Sequence, residues 1–583
     1  MEKRRYPPGK AGFEKRRKDE QSRPRVTEGS PDQVLDIEAT TLLERLRNEK
    51  GTDARDKDTD DLKSSSAQTE KPEAGTELQL EIQELSSTGD GLAYSPDKDH
   101  DLVFVVPFSV PGDKVLAKTD PQKPDSHQWM KVDFVKLLSP SPSRDGVTPQ
   151  CRYFGTCSGC QLQMLPYQEQ LAHKKTIIEK AFKHFSNLDP SLIPPVEETI
   201  GSPLQYGYRT KITPHYDGTH KSRPWKEGDQ PPPFGFTKKN VSKILDIEQC
   251  PIATDILNEG LKIERKNVAD TFWKKSTGAT VLLRESTKRE VLSSSQATKA
   301  RTLSNSKDTA TNGAALAQDL SRLPLEYPGS PTSTSVSFSK PSVPEITYTY
   351  PSFQDTKTYT SDHKAFTTEH IGPYTYTTLA NSFFQNNNSI LPTFLSYIRD
   401  QILPKTPAIS ATGETYTPKI KYLLDAYCGS GLFSIALASE FSSVLGIDID
   451  ALGIQCAREN ATINNPQKAN GQSNLGFIAA DATAIFEDVP YPADQTLCII
   501  DPPRKGASPD FLKQLCAYGP KRVVYVSCNV HTQARDVGML VAGLGGKEHK
   551  SWRYSIEKVG GFDFFPQTGH VEGVCFLNRV EEQ

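Results

Sequence analysis

From Thr76 to about Pro140, apolar and polar residues alternate in short runs. Leu78, Leu80 and Ile82 open the series, followed by LVFVVPF from Leu102, KVLAKT from Lys114 and MKVDFVKLL from Met130. Turn residues separate them at Thr88-Gly89-Asp90-Gly91 and Pro111-Gly112-Asp113. Short period-two runs with such turns predict a small β-barrel. Between Gln168 and Phe185 the period becomes that of an amphipathic helix. Pro203 to about Leu283 reads as mixed α/β. In the last third, apolar strand-length runs alternate with helical stretches: YLLDAYCGSGLFSIALASEF, SVLGID, FIAADA, LCIIDPPR and KRVVYVSCN. That alternation predicts an α/β fold with a Rossmann-like sheet.

Composition sets the boundaries between these units. Apolar residues make up 36% of the 583-residue chain, a deficit that points to disordered segments. Residues 1–75 are rich in charge and read as a disordered tail. Residues 76–140 form the barrel, 141–375 a mixed central domain and 376–583 the Rossmann-like domain. Within the central domain, residues 285–344 are Ser, Thr, Ala and Pro-rich and read as a disordered insertion.

Net charge is −3, so no global basic field announces nucleic acid. Lysine and arginine pairs such as Lys174-Lys175, taken singly, read as solvated faces. The basic stretch EKRRYPPGKAGFEKRRK near the N-terminus suits a nuclear signal, an RNA-touching arm or a solubilising tail. No apolar run approaches the roughly 18–20 residues needed to span a bilayer, and no membrane partner is expected. Ten cysteines do not make a disulfide framework in a chain of this length. An intracellular, reducing home in cytoplasm or nucleus is expected, with mitochondria left open.

Free thiols suit metal binding or catalysis. Cys151, Cys157 and Cys160 are spaced C-x5-C-x2-C, with Cys250 far downstream in IEQCPI. Three clustered soft ligands and one remote suit a [4Fe–4S] cluster better than zinc, whose ligands more often come as two close pairs. Tyr208, Arg209 and Lys211 suggest a strand presenting cations and an aromatic to RNA. Gly429 and Gly431 make a Gly-x-Gly turn after an apolar strand. Asp448 ends the next strand and Asp481 follows a third, where carboxylates meet ribose and adenine. NAD and S-adenosylmethionine proteins share this layout, but the missing third glycine favours the methyl donor. Ligands of open α/β sheets bind beyond the carboxyl ends of the strands, where Asp501, Arg504, Cys528 and Asn529 fall. Cys528 is the candidate nucleophile.

Assembled in order, CxxFGxCxGCxLQ, FFQ-N, LDAYCGSGLFS, DPPRKG, VSCNxxTxARD and DFFPQTGHVEGV resemble the RNA uracil-5 methyltransferase family. The likeness covers about 76–285 and 345–580, and the barrel resembles a TRAM domain, an OB-like RNA-binding barrel. It implies Cys528 as nucleophile, Glu572 as the carboxylate that removes a proton, and Gln385, Tyr427, Asp448 and Asp501 in the S-adenosylmethionine pocket. Arg504 and Arg535 would then favour the thiolate, and Phe383 and Phe384 would either support a flipped base or pack in the core. The layout is that of the bacterial rRNA enzyme, whereas tail and insertion look fungal, which implies tRNA and its T-loop uridine (position 54). An rRNA uridine methyltransferase and a non-catalytic RNA-binding protein remain the alternatives. A monomer is the default expectation, with no signal of its own in the sequence.

Overall fold

The computed structural model describes residues 27–52, 71–94, 102–120, 128–219, 224–274, 277–292, 323–340, 343–402, 408–409, 415–416, 420–464, 473–480, 486, 489–544 and 551–581. Helix α1 (Pro31–Thr52) comes first. Strands β1 (Glu77–Leu85), β2 (Gly91–Tyr94), β3 (Val103–Val106), β4 (Lys114–Thr119) and β5 (Trp129–Ser139) then close a barrel in the order β1-β2-β3-β5-β4. Period two sends Phe104 and Val106 inward to Leu80, Ile82, Val115 and Val132. Val103 and Val105 point outward, yet they are buried as well. What covers them is α1, through Leu35, Ala39, Leu42 and Leu43.

That helix corrects the reading of residues 1–75 as a wholly disordered tail. Val34, Leu35, Glu38, Ala39, Leu42 and Leu43 recur at helical spacing and all six are buried. The surrounding charges hid this stripe from a composition argument. The basic stretch before Thr27 lies outside the described residues.

Beyond the barrel, a cysteine-bearing loop leads into α2 (Tyr167–Phe185), and α3 (Asp255–Thr271) follows. A five-stranded sheet has the order Ser333–Lys340, Val343–Thr349, Phe353–Thr360, Leu283–Val291, Lys211–Ile212. The insertion expected at 285–344 is therefore ordered at both ends, and residues 293–322 lie outside the described set. Leu283–Val291 is an inner strand, paired from Arg284–Thr360 to Val291–Phe353. The Ser/Thr-rich run at its far end alternates with Val336 and Phe338, a strand period that residue counts do not register.

The C-terminal sheet contains β6 (Tyr422–Ala426), β7 (Ser443–Asp448), β8 (Leu475–Ala479), β9 (Thr496–Ile500), β10 (Arg522–Ser527), β11 (Tyr554–Phe562) and β12 (Glu572–Arg579). Their order is β8-β7-β6-β9-β10-β12-β11, with β12 antiparallel to its neighbours. Helices α4 (Leu391–Gln401), α5 (Leu432–Ala436) and α6 (Ala451–Asn464) belong to one side. On the other, α7 (Pro509–Tyr518), α8 (Val530–Ala542) and the apolar face of α2 share one core. Apolar residues on both faces of β9 and β10 explain their unbroken hydrophobic runs.

Lys174, expected on a solvated face, is instead fully buried in α2 against Asp563, and it also donates to Phe565 O at 3.0 Å. A lone charge there would be costly, so the pair ties α2 to the loop after β11. No helix among the described residues is long and apolar enough to cross a membrane.

Candidate active site

Three strand ends converge. Asp501 follows β9, and Cys528 follows β10 on the adjacent parallel strand. The antiparallel register pairs Ser527 with Gly573, so Cys528 and Glu572 come next to each other at the sheet edge. Gln533, one turn into α8, secures this junction by donating to Tyr525 O at 2.8 Å and Gly573 O at 3.1 Å. A Cβ on Gly573 would sit 2.3 Å from Gln533 Oε1, so only glycine admits that amide.

Glu572 is 1% exposed, and its Oε1 has no hydrogen-bond partner. Burial, then the nearby Asp501 carboxylate, push its pKa well above the ordinary value, with Arg504 opposing. A carboxyl in this setting has the affinity for a proton that a base needs. Asp501 is pushed up to about 7, chiefly by burial and then by Asp425. Cys528 is half-buried, and its thiol is pushed up to about 12 by burial, Glu572 and Asp501. Arg504 opposes them through its charge and a hydrogen bond to the thiol. Of the two arginines expected to favour the thiolate, only Arg504 acts on Cys528. Arg535 is drawn to Asp536 (2.6 Å) and Glu28 (3.0 Å), because its position in α8 points it towards the loop before α7.

Sequence reasoning overlooked Gln533 and Asp536. Buried Asp536 accepts from Ala507 N (2.7 Å) and Tyr525 Oη (2.5 Å), tying α8 to the loop that carries Arg504. Both lie inside the SCNxxTxARD motif, so a buried-polar reading of that helix was the available signal.

The glycine turn lies at the end of β6. Tyr427 has φ +66°, and Gly429 and Gly431 have φ +53° and +90°. A Cβ on Gly429 would meet nothing within 4 Å, so the turn's backbone faces open space that a ligand can approach. Asp448, at the end of β7, accepts from Gly429 N at 2.9 Å. Gln385 is buried in the loop before α4. That loop is anchored by Asn387, which donates to Ser202 Oγ and Phe564 O at 3.1 Å each. The adjoining aromatics part company: Phe384 is 3% exposed in the core, Phe383 72% exposed. Asp481 lies outside the described residues.

Tyr208, Arg209 and Lys211 do not form the expected platform. Tyr208 is buried and donates to Pro566 O at 3.0 Å, and Lys211 donates to Asn381 O and Ser382 O. Packing between the central and C-terminal units absorbs Tyr208 and Lys211, whereas Arg209 lies over the Phe565 ring.

The four cysteines of the sequence motif, distant in the chain, line one cavity of about 350 Å³ with Arg209, Phe565 and His570. A hairpin of Gly235–Thr237 and Ile244–Asp246, bridged to the cysteine loop, makes this possible. Ser158 N donates to Thr237 O and Lys239 N to Thr156 O, which carries the chain back to Cys250. Asn258 of α3 then accepts from Cys250 N at 2.8 Å. Burial and mutual repulsion raise the Cys160 thiol, and the Cys250 thiol is pushed up to about 11 mainly by burial. Among the described residues no group of His, Cys, Asp or Glu is spaced to hold a single metal ion.

A parallel sheet with one antiparallel edge pair, a glycine turn after its first strand and a carboxylate after its second define an S-adenosylmethionine-dependent methyltransferase domain. The family model of tRNA (uracil-5-)-methyltransferases matches residues 489–580, and that of ribosomal protein L11 methyltransferase matches 409–484. The tRNA (uracil(54)-C(5))-methyltransferase of Schizosaccharomyces pombe is 38% identical over 509 residues, 86% of this chain and 78% of that protein. The Saccharomyces cerevisiae protein of the same description is 37% identical, over 86% of this chain and 73% of its own. The chain belongs to the tRNA (uracil-5-)-methyltransferase family. The fold is shared with a solved Pyrococcus abyssi tRNA (uracil-54, C5)-methyltransferase bound to S-adenosyl-L-homocysteine, at TM-score 0.51 and 23% identity, covering 86% of this chain and all of that one.

Proposed function

We propose that the protein methylates C5 of a uridine in tRNA, the T-loop uridine at position 54, with S-adenosylmethionine as methyl donor. The observation that carries the mechanism is the register that sets Cys528 beside Glu572, with Asp501 at the adjacent strand end. The substrate follows from family membership and from the relatives' activity on uridine 54.

Uracil C5 is a weak nucleophile. Cys528 Sγ adds to C6, and the C5–C6 π electrons move towards the ring carbonyl as an enolate. Arg504 stabilises the thiolate that begins this step. C5 then bonds to the methyl carbon as the carbon–sulfur bond of the donor breaks. Glu572 takes the C5 proton, and the Sγ–C6 bond breaks to restore the ring. Access to C6 requires the base to leave its stack, and exposed Phe383 is suited to support it.

For the donor, the open face of Gly429 and the Asp448 carboxylate fit the methionine and ribose portions, with Gln385, Tyr427, Gly431 and Asp501 around them. Cys151, Cys157, Cys160 and Cys250 would hold a [4Fe–4S] cluster. Four soft thiols around one cavity are the donor set that such a cluster takes. The barrel, as a TRAM-like module, would bind RNA.

The test is adduct capture with 5-fluorouridine-substituted tRNA and S-adenosylmethionine. Fluorine cannot leave as a cation, so a covalent protein–tRNA band should survive denaturing electrophoresis and vanish in Cys528→Ala. A band with rRNA and none with tRNA would move the substrate. No band with either would return the protein to the RNA-binding reading.

A further inference from the structure

The segment before α1 reaches the catalytic turn from the far end of the chain. Asn529, the residue after Cys528, spends all its side-chain hydrogen-bonding groups there. Its Oδ1 caps α8 by accepting from His531 N at 3.2 Å. Its two N–H groups go to Arg504 O at 3.0 Å and Gly29 O at 3.3 Å. One residue earlier, Glu28 pairs with Arg535 of α8 at 3.0 Å. Gly29 has φ +70°, and a Cβ there would lie 2.6 Å from Thr532 Cγ2. The close approach and the backbone conformation both call for glycine. Gly29, Pro31 and Val34 form one wall of a cavity of about 210 Å³ that opens on Cys528 and Arg504.

The first half of α1 is fixed to the barrel. Asp36 accepts from Trp129 Nε1 at 2.5 Å, and Thr40 Oγ1 donates to Gln128 at 2.6 Å. Glu38 is buried at the junction, accepts from Ser87 N at 3.0 Å, and lies 3.5 Å from Lys180 of α2. One helix thus touches the barrel, α2 and the catalytic turn.

We propose that Glu28 and Gly29 are positioning residues for the catalytic thiol. Through Asn529, the strap that they form holds the Cys528 turn against the Arg504 loop, and α1 fixes that arrangement relative to the barrel. The inference rests on the assignment of Cys528 as nucleophile. Loosening the strap separates the thiol from its cation without removing either. An ångström-scale misplacement of a reacting group can lower a rate by up to about 100-fold. Glu28 is largely exposed, and an ion pair with one partner so placed contributes little to stability. A large loss of rate with an intact fold is therefore the distinguishing signature.

The experiment compares full-length wild type, Glu28→Gln, Glu28→Asp and Gly29→Val. It measures the single-turnover rate of adduct formation on 5-fluorouridine-substituted tRNA, tRNA affinity and thermal midpoint. We expect Gly29→Val to slow adduct formation by at least about tenfold and Glu28→Gln by less, with Glu28→Asp recovering most of the rate. Affinity and midpoint should stay close to wild type for both Glu28 variants. Wild-type rates in Gly29→Val and Glu28→Gln would overturn the inference, as would losses that track the midpoint. Absence of an adduct in wild type would instead overturn the nucleophile assignment beneath it.

Discussion

Five of the ten cysteines fall into two groups whose thiols are all half-buried, yet the groups differ in what surrounds them. Cys528 faces two carboxyls and one guanidinium. The other four chiefly face one another: Cys250, Cys157 and Cys151 all repel charge on Cys160. Arg504 and His570 line the cavities at both groups, so the sites adjoin. Burial raises every one of these thiols, which means that desolvation alone separates nothing. A lone thiol with a cation and a proton acceptor is equipped to attack and leave. In the proposed reading, four thiols that repel each other would be neutralised together by a bound cluster.

The sharpest break of this contrast is Cys528→Ala. Turnover with labelled S-adenosylmethionine should fall by about 10⁴-fold or more, while tRNA affinity in a filter-binding assay stays near wild type. Next, Glu572→Gln should slow product release by about 10²–10⁴-fold and let the covalent adduct accumulate on ordinary tRNA. Rapid release from that variant would show that another group takes the proton.

The pH dependence sharpens the same point. With the Cys528 thiol pushed up to about 12, the thiolate is a small fraction near neutrality and grows with pH. Adduct formation should rise about tenfold per pH unit between 7 and 9. A flat profile would mean that the thiol gives up its proton only within the substrate complex. On the other side of the comparison, Cys160→Ser should lower the iron and acid-labile sulfide content and the thermal midpoint of anaerobically purified protein. Full iron content in that variant would remove Cys160 from the ligand set.

The smallest effect concerns Asp425, a buried carboxyl whose Oδ2 accepts from Ser434 N and Oγ while Oδ1 has no partner. Burial pushes it up to about 7, above an unfolded value near 3.9. The folded state thus holds this proton more tightly. Its stabilising contribution is complete below about pH 4 and is lost as pH rises to about 7. Asp425→Asn should flatten that part of the stability profile, measured by denaturant melts across the window. An unchanged slope would place the titration elsewhere.

Much of the site was legible because sequence motifs end strands. The apolar runs before Asp501 and Cys528 announced parallel strands buried on both faces, and a parallel strand presents chemistry at its carboxyl end. Asp448 and the glycine turn were legible for the same reason. The barrel's period-two runs fixed its extent nearly to the residue, from Glu77 to Ser139. Two readings failed for a shared cause. The tail and the insertion were judged by composition, whereas α1 and the strand Ser333–Lys340 are specified by period, which charge or hydroxyl content does not erase. Lys174 failed differently: a cation can be buried when a distant carboxylate, here Asp563, meets it, and no local pattern names that partner.

By itself, then, the sequence determined the elements and the residue types at their ends, because backbone periodicity and turn chemistry are local. Tertiary structure decided who meets whom. The antiparallel register of β12 sets Glu572 beside Cys528, a hairpin returns Cys250 to its three partners, and α1 carries Glu28 and Gly29 to a turn 500 residues away. Contacts of that range depend on the packing of whole elements, and a single strand or helix carries no record of what will lie against it.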